Sequence, residues 1–429
     1  MGLAILLGVF ALVMVMGVPV AFALAIAAIS AFMFEGLPLM VGFQRIVSGM
    51  STFALLAVPF FIFAGELMLH GGIAARLIRF AAASVGWMRG GLAQVNIFSS
   101  MLFGGISGSA VADISALGSL LIPVMKEKGY DDDFAVNVTV TSSIAGIVIP
   151  PSHNMILYVV AAGGGISISS LFMAGIVPWH INVSLTCLRS SLDCYQEKIP
   201  NRTFCWFKNI SSLLPCFSAC SLITAIIVVG GTLSGIFTVT ESGAIGAVYA
   251  MLISFFVYRT MDFKGFVLAV TGSIRTTGMV MILIGSASAF GYMLAFYQVP
   301  AVMSTFITSI SDNPIMILIM LNILLLCLGM IMDMAALILI CTPIFLPIAA
   351  GFGMDPVHFG IMMMMNLGLG LCTPPVGACL FVGCVVGKVT IQKAVKTIWL
   401  FYIAMLAALI LVTFIPSISM TLPNLLIEK

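Results

Sequence analysis

The chain has 429 residues, with only 17 Lys+Arg and 15 Asp+Glu (7% charged) against 62% hydrophobic residues and a mean hydropathy of +1.23. A water-facing domain covers itself with about 25% charged residues, so a soluble enzyme is excluded. A net charge of +2 leaves no basic surface able to track nucleic-acid phosphates.

What remains is an all-α, multi-pass membrane protein. A β-barrel would alternate apolar and polar residues over strands of about 10. Here Gly2 to Phe34, Thr276 to Ser311 and Thr397 to Ile427 run without any charge. Spanning helices need about 20 apolar residues each. In chain order, such stretches predict spans at 3–33, 52–70, 92–124, 134–164, 171–188, 213–236, 243–258, 277–297, 314–350, 357–387 and 397–417. The first stretch has no basic lead-in and no small-residue cleavage site, and so reads as a retained span rather than a signal peptide.

Several stretches are interrupted where one crossing should be continuous. Gly104-Gly105-Ile106-Ser107-Gly108-Ser109, Pro150-Pro151 and Thr373-Pro374-Pro375 each sit inside an apolar run. A Pro-Pro pair removes backbone donors and forces unwinding, which a bilayer tolerates only against protein or a wet cavity. The interruptions recur in order. Asp113 and Asp333 are 220 positions apart, as are Pro123 and Pro343, and the Gly-x-x-x-Pro-Pro runs Gly146–Pro151 and Gly370–Pro375 are 224 apart. This predicts an internal duplication. Residues 1–178 would form one repeat, with a hairpin at about 92–124 and a broken helix at about 134–164. Residues 223–429 would form the other, with a hairpin at about 329–350 and a broken helix at about 357–387. Paired broken helices in two halves point to a transporter site near the bilayer midplane.

The runs Ser107-Gly108-Ser109-Ala110-Val111-Ala112-Asp113, Ile149-Pro150-Pro151-Ser152, Phe172-Met173-Ala174-Gly175-Ile176, Ile236-Phe237-Thr238-Val239-Thr240-Glu241 and Thr373-Pro374-Pro375-Val376-Gly377 resemble the large membrane subunit of tripartite ATP-independent periplasmic (TRAP) transporters. The resemblance covers nearly the whole chain, residues 179–222 excepted. It implies inverted repeats with re-entrant hairpins in an elevator-type, sodium-driven importer of organic acids, in the bacterial inner membrane. It also implies two partners expected as separate chains: a small four-helix membrane subunit and a periplasmic substrate-binding protein. The alternatives are a self-sufficient sodium–dicarboxylate symporter, an integral-membrane enzyme, or a purely structural subunit. The last two fit poorly with scattered acids and paired breaks.

Sodium is a hard cation that takes oxygen ligands from carbonyls and hydroxyls, and unwound helices supply such carbonyls. One sodium site per half is expected. Ser107, Ser109 and Asp113 would face Gly146 and Pro150 in the first, and Asp333 would face Gly370, Thr373 and Pro374 in the second. The carboxylate substrate would lie between the hairpin tips, near Ser109, Ser152, Asn154 and Thr373. Each Ser or Thr could equally be an ordinary helix–helix hydrogen bonder.

Acids within apolar runs cost about 2.5–3.5 kcal/mol each on insertion scales. Glu66 reads evenly as a functional acid or a helix-end carboxylate near His70, and Glu241 reads as a helix-start carboxylate behind Thr238. Lys126, Lys128 and Asp131 to Asp133 read as a solvated loop, and His153 as a packed or water-facing imidazole rather than a proton relay. No phosphate-binding Gly-rich loop with Lys is present, so ATP-driven transport and organic cofactors find no support.

Residues 179–222 stand apart, with five of the ten Cys and charges at Arg189, Asp193, Glu197, Lys198, Arg202 and Lys208. The resemblance implies an apolar span here, entered by Pro-Gly and followed by a basic linker. Trp179 has the single codon TGG and His180 begins with C, so reading one base later forces glycine after Pro178. A displaced reading frame is the expectation for this segment.

Overall fold

The computed structural model describes residues 1–88, 90–196, 223–224, 226–233, 235–311 and 313–426. The described residues are helices joined by short turns. Six helices are long and apolar enough to cross a membrane, and the bent pair Asp132–Val148 and His153–Ala161 makes a seventh crossing. The chain is a multi-pass membrane protein.

The first 34 residues are not the single span expected over 3–33. Gly17, in the left-handed region at φ +80°, and Pro19 separate helices Gly2–Val15 and Val20–Phe34. The two fold back on one another, so that a Cβ placed on Gly2 would meet the Glu35 carboxylate and the Tyr297 hydroxyl. A 14-residue helix is about 21 Å long, short of the roughly 30 Å core. Conversely, the span expected at 277–297 belongs to one helix, Phe263–Phe296, of 34 residues. The span expected at 213–236 lies mostly outside the described residues, with short helical turns at Ile226–Gly230 and Gly231–Leu233.

The order of elements repeats. In the first half, Gly91–Ser107 turns at Gly108-Ser109 into a helix over 110–127, followed by Asp132–Val148, a break, His153–Ala161 and the long helix Ile168–Gln196. In the second, Pro314–Gly329 turns at 330–333 into Met334–Gly351, followed by Pro356–Leu371, a break, Ala378–Gly387 and Ile391–Phe414. The second hairpin therefore starts well before the expected 329, with its first arm at Pro314.

One register of 224 relates Ala110 to Met334, Asp132 to Pro356 and the cis pair Pro150-Pro151 to the cis pair Pro374-Pro375. The pairing at 220 does not hold. Asp333 occupies the place of Ser109, not Asp113, and Pro123 pairs with Pro347, not Pro343. The physical reason is the helix cap. Ser109 and Asp333 each precede the second hairpin arm, and each side chain accepts a hydrogen bond from the backbone two or three residues on. Ser and Asp serve that position about equally well.

The halves interlock. His153–Ala161 packs on the second hairpin's Met334–Gly351 arm, while Ala378–Gly387 packs on Asp132–Ser143 and on the first hairpin's 110–127 arm. Tyr158 donates to the Pro356 carbonyl (2.6 Å), and Asn137 Nδ2 to the Ala394 carbonyl (3.0 Å). The long helix Phe263–Phe296 packs against Val20–Phe34, Leu39–Met50 and Ala57–His70 and touches the second hairpin. Asp132 and Asp133 are not loop residues but lie in a helix's first turn, where acids suit the dipole. Asp132 pairs with Lys126 (3.2 Å) and Asp133 with Lys393 (3.4 Å), while Lys126 also donates to the Gly387 carbonyl at a helix end.

Candidate functional site: two hairpin tips and two broken helices

Each half brings its hairpin tip against its own helix break. The approach is close because glycine faces glycine. A Cβ on Gly104 would lie 2.4 Å from the Gly146 Cα, and one on Gly370 would lie 2.7 Å from the Gly329 carbonyl carbon. No side chain larger than hydrogen fits between these backbones without one of them moving. Gly146 and Gly370, expected as carbonyl donors, are thus also the contacts that seat the tips.

At the first tip, Gly108 adopts φ +61° and its carbonyl accepts from Asn154 Nδ2 (3.4 Å). Ser152 is fully buried beside Gly108, and its hydroxyl has no hydrogen-bond partner. His153 opens the helix after the break, close to Gly108. The Pro150 carbonyl faces Gly105. Ser109 caps the second arm through Ala112 N (3.4 Å). Ser107 ends the first arm, and its side chain lies outside the described residues. One turn below, Asp113 is fully buried. Neither carboxylate oxygen makes a well-formed hydrogen bond, and Ser100 is the hydroxyl beside them.

At the second tip, the connection is made by backbone. Val376 N and Gly377 N donate to the Met330 carbonyl (3.2 and 3.3 Å). Gly377 sits at φ +50°, where a Cβ would meet the Thr373 carbonyl at 2.9 Å. The Thr373 hydroxyl donates back to Leu369 O (2.7 Å), and Pro374 is half-buried. Asp333 caps its helix through Ala335 N (3.0 Å) and remains solvent-exposed. The expected sets are therefore gathered as two tip–break pairs, and the acid of the second pair stands at the tip rather than behind it.

Four helix N-termini, at 110, 153, 334 and 378, lie at these tips and breaks. Their unpaired amides and dipole ends favour an anion such as a carboxylate. Among the described residues no cluster of three His, Cys, Asp or Glu exists.

The sequence reading overlooked a buried polar set behind the first tip. Asn96 donates to Thr139 Oγ1 (2.6 Å) and Ser100 meets Ser142 (3.1 Å), while Asn96 Oδ1 and the Ser99 hydroxyl are unpartnered. The second half has Asn366 donating to the Asn322 side chain (2.8 Å). The available signal was polar residues at helical spacing, 96, 99 and 100 against 139 and 142, inside apolar runs.

Of the remaining acids, Glu241 forms a capping box with Thr238, its Oε2 accepting from Thr238 N (2.8 Å), as its sequence suggests. Glu66 is half-buried against Gly272 and pairs with His70 (3.5 Å), away from both tips.

Comparison with known proteins agrees with this architecture. The structure of the Alcanivorax borkumensis YdaH transporter, described as having an unusual topology, superposes with a TM-score of 0.67, covering 90% of each chain at 12% identity. In sequence, the chain is 34% identical over 439 residues to the C4-dicarboxylate TRAP transporter large permease protein DctM of Rhodobacter capsulatus, covering 99% of this chain and 100% of that one. It is 36% identical over 417 residues to the sialic acid TRAP transporter large permease protein SiaM of Vibrio cholerae, covering 95% of each. Residues 7–418 match the family described as the tripartite ATP-independent periplasmic transporter, DctM component. The chain belongs to that family: it is a large permease component of TRAP transporters, and not an enzyme.

Proposed function

We propose that this chain is the sodium-coupled importer of a small organic acid in the bacterial inner membrane, working by alternating access. The observation that carries the reading is the pairing of each hairpin tip with a helix break, with helix N-termini and one carboxylate at each pair. A carboxylate cargo would bind the N-termini near Ser109, Ser152, Asn154 and Thr373. Sodium would take carbonyls of the breaks at Gly146 and Pro150, with Ser107, Ser109 and Asp113, and at Gly370, Thr373 and Pro374, with Asp333. The buried carboxylate of Asp113, with only the Ser100 hydroxyl beside it, and the buried hydroxyl of Ser152, unpartnered among the described residues, support this assignment, since buried polar atoms without full sets of partners are rare unless a ligand satisfies them. The tip–break units would slide against the scaffold that includes Phe263–Phe296.

The cargo would be delivered by a periplasmic binding protein, with a small four-helix subunit completing the membrane part. The relatives named for C4-dicarboxylates and sialic acid both carry acids, which supports a carboxylate here. The test is uptake of labelled organic acids by proteoliposomes holding this chain, the small subunit and the binding protein, with and without a sodium gradient. Uptake that persists without sodium, or that needs no binding protein, would overturn the proposal.

A further inference from the structure

The helix Ile168–Gln196 changes character at Trp179. Before it, Leu171, Phe172, Met173 and Ala174 are buried apolar residues. After it, the inward face carries Trp179, Asn182, Thr186 and Ser190, all buried, at spacings that place them on one helical stripe. Among the described residues, Trp179 Nε1, Asn182 Oδ1, Arg189 Nε and Ser190 Oγ have no hydrogen-bond partner. Arg189 and Asp193 pair only one turn apart on the same helix. In the second half, Ile391–Phe414 lies 223 positions on from Ile168, and it fills the places of Trp179, Asn182, Thr186 and Ser190 with Tyr402, Met405, Leu409 and Thr413. The counterpart helix packs Met405 and Leu409 where this stripe buries Asn182 and Thr186, and an orphaned polar group in a bilayer has no water to fall back on. Composition changes at the same point. Residues 1–178 contain no Cys, whereas 179–222 contain five of the ten and six of the 32 charged residues.

We infer that residues 179–222 are read in a frame displaced by one nucleotide from the flanking gene, and that the frame one nucleotide later encodes the membrane span this fold is built around. The genetic code restricts that frame whatever synonymous codons are used. Trp179 followed by His180 must become glycine. Cys187 must become Val or Ala. Asp193, Cys194 and Tyr195 must become Ile or Thr, Val or Ala, and Ile or Thr. Gln196, Glu197 and Lys198, followed by Ile199, share a middle A and a purine third base and precede G, A and A, so each must become Lys or Arg. At these positions the displaced frame thus removes the half-buried acid Asp193, gives Gly, Val, Ala, Ile or Thr, and ends in three consecutive cations. That is how a span meets a membrane surface.

The test is the nucleotide sequence of codons 179–222, together with thermal unfolding, after detergent extraction, of two full-length chains that differ only in the frame of this segment. The expected result is an uninterrupted displaced frame and a higher unfolding temperature for the chain that carries it. A stop codon in the displaced frame would overturn the inference; Ile181 encoded by ATA would create TAA with Asn182. So would an unfolding temperature no higher than that of the chain as given. Neither measurement depends on cargo or sodium, so failure here leaves the transport proposal standing.

Discussion

The two hairpin tips do one structural job with different chemistry. At the first, the residue capping the second arm is neutral Ser109, the acid Asp113 is buried one turn deeper, and the tip is tied to its break by the Asn154 side chain. At the second, the cap is itself the acid Asp333, exposed at the tip, and the tie is made by backbone amides to Met330. A repeated scaffold can thus carry an asymmetric charge distribution, because the N-cap position accepts either Ser or Asp without altering the fold.

The largest effects should come from removing the two charges. Asp333→Asn keeps a competent cap and removes only the charge. Loss of one charged contact is worth about 1.5–3 kcal/mol, so the sodium concentration for half-maximal uptake should rise roughly 10- to 100-fold by tenfold-per-1.4-kcal arithmetic. Asp113→Asn should raise it comparably if the buried acid also holds sodium. An unchanged sodium dependence in Asp113→Asn would leave the second tip as the sole acidic site and break the proposed symmetry of function.

Next is the glycine seating. Gly146→Ala and Gly370→Ala each drive a methyl into the facing backbone, an overpacking worth about 1–3 kcal/mol. Thermal unfolding in detergent should fall in both, and a fall in only one would show that the other tip can retreat.

Asn154→Ala should be milder, at about 1 kcal/mol for one hydrogen bond. It should weaken cargo binding roughly fivefold by equilibrium binding while leaving sodium dependence nearly unchanged. No single side-chain deletion can do the same at the second tip, where the tie is backbone. Smallest is Lys393→Ala, which removes an exposed partner of Asp133. About 0.2–1 kcal/mol of stability and no change in uptake are expected. A large loss of uptake would mean that this contact between the halves takes part in the transport cycle.

Legibility followed the range of the interaction that decided each feature. The breaks at Pro150-Pro151 and Pro374-Pro375 were readable because proline acts on its own turn. The capping box at Thr238 and Glu241 was readable for the same reason. The first span was misjudged because apolarity is equally compatible with one crossing and with two short helices folded together, and only the contact of Gly2 with Glu35 and Tyr297 separates them. The register between the halves was misjudged because two aspartates were matched by identity, whereas the fold matches by position at a helix start. The bond from Asn154 Nδ2 to the Gly108 carbonyl was not readable, because it joins residues 46 positions apart. The polar set of Asn96, Ser99, Ser100, Thr139 and Ser142 becomes a cluster only when two helices about 40 residues apart pack together.

By itself, the sequence determined the solvent of this protein, its helical class, the places where its helices must break and its family. Each of these depends on composition or on residues a few positions apart, where hydrophobic transfer and backbone sterics act without reference to the rest of the chain. The tertiary structure alone decided which acid stands at a tip and which is buried behind one, how each tip is tied down, and that the face beginning at Trp179 buries Trp179 Nε1, Asn182 Oδ1 and Ser190 Oγ without a partner among the described residues. Those depend on which surfaces meet across long separations in sequence, and in a bilayer, with no water to make up a missing partner, the meeting surfaces set whether a polar side chain is an asset or a defect.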